Sequence, residues 1–136
     1  MNIANEEAAM LYRIASQDRR AFLNLTADAE MDLRIVCFHA QQAVEKLLKA
    51  VLVNRDIVFS RTHNLAHLAD MLIQAKAPLP LPADTLSRLN PYAVIFRYDD
   101  LDIPLIGRDE VRQMVDAVFA WAERELQQSG KVPGSN

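Results

Sequence analysis

The chain has 136 residues, 51% of them hydrophobic and 24% charged, which suits one domain with one core. Fifteen basic residues against eighteen acidic ones leave a net charge of −3, the wrong sign for a general electrostatic coat on duplex nucleic acid. The lone cysteine, Cys37, has no partner for an internal disulfide, and no signal-peptide pattern or apolar run of about 18 residues occurs, so the export and membrane-spanning classes drop out and a cytoplasmic protein is expected.

Only three glycines occur, which argues against a many-turned β fold. Hydrophobic periodicity predicts five helical segments. The first runs from about Asn5 to Thr26, with Leu11, Ile14, Ala15, Phe22 and Leu25 on one stripe and Asp18 among them. The second, from about Asp28 to Asn54, carries a broad apolar face that includes Val36, Ala40, Val44, Leu47 and Val51. It is the longest element and the expected centre. The third follows Ser60-Arg61-Thr62 and ends near Ala77, with Thr62 as its expected cap and His63 in its first turn. Pro78-Leu79-Pro80-Leu81-Pro82 reads as an extended linker. The fourth covers about Ala83 to Tyr98 and is split at Asn90-Pro91. A loop from Asp99 to Gly107 leads to the fifth, from about Asp109 to Gln128. The predicted architecture is an all-α, four- to five-helix up-and-down bundle over residues 1–128, followed by a disordered tail, 129–136.

Four groups of residues carry potential chemistry. On a helical wheel, His39, Gln42, Lys46 and Lys49 lie within about 80° of one another, nearly opposite the apolar stripe. That row is either a solvated face or a surface that meets an anion. Asp18 sits on an apolar stripe and needs a donor, for which Arg97 is one candidate; a structural pair is the simpler role. The segment from Tyr92 to Tyr98 gathers aromatics around Arg97, a composition that suits either stacking on a base with a phosphate contact, or packing in a core or dimer seam. His63 and His67 are four apart, a spacing open to metal ligation, but no third ligand is evident and no metal is expected. No phosphate-binding glycine loop, dinucleotide fingerprint or nucleophile elbow is present, and no cofactor is expected.

The stretch from Cys37 to Ala50, Cys-Phe-His-Ala-Gln-Gln-Ala-Val-Glu-Lys-Leu-Leu-Lys-Ala, resembles the signature helix of HEPN domains (higher eukaryotes and prokaryotes nucleotide-binding). Three further features agree in order: Ala15-x-x-Asp18 on the first helix, Thr62-His63-Asn64-Leu65-x-x-Leu68 at the third, and Tyr92-Ala93 with Arg97-Tyr98 at the end of the fourth. The resemblance implies a bundle of four or five helices, usually a homodimer, often encoded beside a minimal nucleotidyltransferase and sometimes part of a toxin–antitoxin pair. Several branches are metal-independent ribonucleases with an Arg-x(4–6)-His motif. Here that spacing occurs at Arg34–His39 and Arg61–His67, while Arg97, nearer the family position, has no histidine downstream.

The sequence therefore points to a HEPN protein, non-catalytic or weakly catalytic, that binds a nucleotide, an RNA or a partner nucleotidyltransferase. His39, Gln42, Lys46, His63, Arg97 and Tyr98 are its candidate binding residues, and Asp18 is its structural polar residue. The alternatives are a metal-independent ribonuclease toxin and a pure dimerisation module.

Overall fold

The computed structural model describes residues 2–94 and 106–128. Its elements are α1 (Glu6–Thr26), α2 (Leu33–Asn54), α3 (Leu65–Gln74), the short α4 (Ala83–Ser87), a 3-10 turn (Asn90–Ala93) and α5 (Arg108–Gln128). The described residues contain no strand, which matches the all-α bundle expected from the sequence. Among them, no helix is long and apolar enough to cross a membrane.

Local chemistry explains the boundaries. Asn5 caps α1 by accepting from the Ala8 amide at 2.9 Å, and Glu6 and Glu7 complement the positive end of its dipole. The second helix starts later than its periodicity suggested. Asp28 accepts from the Glu30 amide in a local turn, and Asp32 then takes the cap by accepting from the Arg34 amide at 2.8 Å. The third helix is capped by Asn64, not Thr62, so His63 precedes the helix instead of riding in its first turn. Asn90, the residue expected to start a new helix after the split, also bonds to α3: its Oδ1 accepts from the Leu65 amide at 2.8 Å. The tail from Ser129 onward lies outside the described residues.

Both α2 and α3 end in the same six-residue motif. The Ile57 amide reaches back to the Leu52 carbonyl and the Asp56 amide to Val53; the Ala77 and Lys76 amides repeat this with Leu72 and Ile73. The motif needs a left-handed residue, and Asp56 (φ 59°) and Lys76 (φ 61°) occupy those positions without being glycine.

Helix α2 is the centre. Twelve of its 22 residues are buried, and it packs against α1, α5, α3 and the 3-10 turn. Its apolar stripe is buried within the chain, as is Tyr92. Around it, Tyr12 donates to Glu123 at 2.7 Å, Arg55 pairs with Glu125 at 2.8 Å, and Trp121 Nε1 donates to the Pro78 carbonyl at 2.8 Å. The last bond fixes the proline-rich linker against α5.

Candidate functional site

The polar row of α2 does not face open solvent, because α1 lies over it. Lys46 Nζ donates to Asp18 Oδ2 at 2.8 Å and to Gln42 Oε1 at 3.0 Å. His39 Nδ1 stands 3.6 Å from Asp18 Oδ1. The side chains of Asp18, Lys46 and His39 keep only 18%, 20% and 27% of their exposure. Asp18 therefore finds its donor in Lys46; Arg97 lies outside the described residues. A carboxylate on the inner face of α1 is stabilised there by a cation that arrives from α2.

The chain of bonds continues inward. Gln42 Nε2 donates to Gln41 Oε1 at 2.7 Å, and Gln41 Nε2 donates to Glu45 Oε1 at 2.9 Å. Gln41 and Glu45 are the two buried polar residues among those described. Glu45 also receives Lys49 Nζ at 2.9 Å and His63 Nδ1 at 3.0 and 3.1 Å. Burial pushes the Glu45 carboxyl up, but the bonds from Lys49, Gln41 and His63 outweigh it and hold the group below its ordinary range. Glu45 is thus an ionised, buried acceptor with every oxygen engaged.

An ionised carboxylate can only accept, so Nδ1 of His63 carries the proton and Nε2 is its other, uncommitted nitrogen. The His63 side chain keeps 71% of its exposure while Glu45 keeps 6%. One continuous hydrogen-bonded network therefore runs from Asp18, between α1 and α2, to an imidazole at the surface. It joins three of the predicted binding residues, Gln42, Lys46 and His63, with His39 beside it, its Nδ1 buried and without a hydrogen bond among the described residues, and it offers only His63 freely to solvent. The other two, Arg97 and Tyr98, lie outside the described residues.

Gln41 and Glu45 were not singled out in the sequence. Their signal was present: two polar residues four apart, flanked by Ala40, Val44 and Leu48 on a helix rich in apolar neighbours. Lys49 extends the network to a groove of about 530 Å³, which Glu7, Val53, Asp56, Phe59 and the exposed Arg61 also line.

Neither Arg-to-His spacing forms a joint site. Arg34 is held by its own cap, with Nη2 3.1 Å from Asp32 Oδ2, while His39 turns to Asp18. His67 stands 3.4 Å from Ser60 Oγ, and with His63 ahead of the helix the two imidazoles do not share a helical face. Cys37 is buried, and burial pushes its thiol up to about 11, which keeps it protonated at neutral pH.

These features define an all-α bundle with a polar seam between its first two helices that surfaces at one histidine. The HEPN domain family model matches residues 8–124, nearly the whole chain, and the chain belongs to that family. Membership supports a function related to nucleotides or RNA in general. No curated protein and no solved structure is similar enough to add a nearer relative.

Proposed function

We propose that this chain is a non-catalytic HEPN protein that binds a nucleotide or single-stranded RNA at the surface end of its polar seam. The observation that carries this reading is the His63–Glu45 pair. A buried carboxylate fixes the tautomer and direction of an exposed imidazole, so its Nε2 is a pre-oriented partner for a ligand. Glu45 also holds Lys49 at the wall of the adjoining groove, where Arg61 and Phe59 offer a second cation and an aromatic surface beside the carboxylates of Glu7 and Asp56. In this reading His39, Gln42, Lys46 and Asp18 position the seam, while Arg97 and Tyr98 remain candidate ligand contacts. The protein acts as a cytoplasmic homodimer, and a minimal nucleotidyltransferase in a toxin–antitoxin-type module is its candidate protein partner.

Fluorescence anisotropy with a labelled oligoribonucleotide tests the reading. Wild type should bind, and His63→Ala should weaken binding about tenfold in a variant that circular dichroism shows to be folded. Wild-type affinity in a folded His63→Ala variant would overturn it.

The same pair supports one rival. A carboxylate-held imidazole is a suitable general base, and a metal-independent ribonuclease would use it on a 2′-hydroxyl. Cleavage of RNA by wild type in chelator, abolished in His63→Ala, would establish that reading instead.

A further inference from the structure

We propose that the outer face of α1 is an antiparallel, self-complementary contact between two copies of this chain. The inference names a surface for the homodimer proposed above and rests on that reading. Helix α1 buries Ala8, Ala15 and Phe22, seven residues apart, against the bundle. The opposite stripe, Glu7, Met10, Arg13, Ile14, Gln17 and Arg20, is exposed along its whole length. Met10 and Ile14 are one turn apart in its middle and keep 47% and 42% of their exposure. Glu7, Arg13 and Arg20 make no ion pair among the described residues.

The order of charges selects the partner and its direction. Acid stands at the start of the stripe and base further along it. A parallel copy would set acid on acid and base on base. An antiparallel copy about a two-fold axis sets Met10 opposite the other Ile14, and Glu7 opposite the other Gln17. On one helix face, residues three and four apart are neighbours, so Glu7 then sits between Arg13 and Arg20 of the other copy. Two-fold symmetry repeats the contact, as an isologous interface requires. A shallow concavity of about 630 Å³, apolar at Ile3, Ala9 and Met10 and rimmed by the charges of Glu6, Glu7 and Arg13, lies where the other Ile14 would enter. A single helix pair is a small contact, at the low end of specific interfaces, and its charged rim makes it sensitive to salt.

Sedimentation velocity of the full chain over a range of concentration tests the proposal, with circular dichroism to establish that each variant is folded. Wild type should dimerise. Glu7→Lys alone and Arg13→Glu/Arg20→Glu alone should each weaken self-association at least about tenfold. Mixed together, the two variants should pair, because each then supplies the charge that the other lacks. A wild-type mass fixed at 15.4 kDa would overturn the surface and the homodimer together. A wild-type dimer that both variants retain would overturn this surface alone and leave the homodimer standing. Variants that are monomeric apart and remain so when mixed would overturn the antiparallel register.

Discussion

Glu45 holds His63 from inside the bundle: the imidazole Nδ1 lies 3.0 and 3.1 Å from the two carboxylate oxygens, although the residues are 18 apart in sequence. One partner is buried and the other is exposed, so the pair passes order from the core to the surface. Changes at its two ends should therefore have different consequences for stability and for binding.

Replacing Glu45 should destabilise the protein by about 2–3 kcal/mol, because Gln41 and Lys49 lose their acceptor while His63 and part of Lys49 can turn to water. Urea melts of Glu45→Ala measure this. A midpoint within error of wild type would mean that the seam adds nothing to stability.

The same carboxyl gives a pH dependence of known sign. Its folded value lies below its ordinary value of 4.5, so its contribution is fully present above that ordinary value. It is lost as pH falls through the folded value. The stability gap between wild type and Glu45→Gln should therefore narrow as pH falls from about 5 towards 3. A gap that widens between pH 5 and pH 3 would reverse the assignment.

Asp18→Ala should cost about 1–2 kcal/mol, less than a fully buried pair, because Asp18, Lys46 and His39 each retain some contact with water. A double-mutant cycle with Lys46→Ala should return a coupling of about 1 kcal/mol. Zero coupling would mean that the 2.8 Å contact is energetically idle.

Asp56→Gly and Lys76→Gly should each stabilise the protein by about 0.5–1 kcal/mol, since both side chains sit in the left-handed region that glycine adopts without steric cost. The two sites terminate different helices, so the gains should add. Thermal melts of the single and double variants decide this, and a loss at either site would show a side-chain role that outweighs the backbone cost.

Cys37 should resist thiol reagents in the native protein. It is buried, and its thiol is pushed up to about 11, so the reactive thiolate is scarce at neutral pH. Titration with a chromogenic disulfide should show slow labelling in buffer and rapid labelling in denaturant. Fast native labelling would require an opening of α2 that its packing does not suggest.

The all-α class, the central place of α2 and the span of α1 and α5 were legible in the residue pattern, because a sustained 3.6-residue hydrophobic period leaves few other ways to bury its apolar face. The sequence also carried the family, through an ordered set of residues from Ala15 to Tyr98. Helix starts were less legible: Asp28, Asp32, Thr62 and Asn64 are all competent caps, and tertiary contacts such as Asn90 to the Leu65 amide choose among them.

Only the tertiary structure decided what the polar residues do. A helical wheel shows which side chains share a face, but it cannot show what lies over that face. It set His39, Gln42 and Lys46 apart as a polar row, and the packing of α1 turned that row into a half-buried seam through Asp18. It gave Glu45 no special place, yet the loop before α3 brings His63 back to it across 18 residues. Periodicity is a local property of the chain. A buried charge is kept only where a second element brings its partner, and that meeting is not written in the spacing of either helix alone.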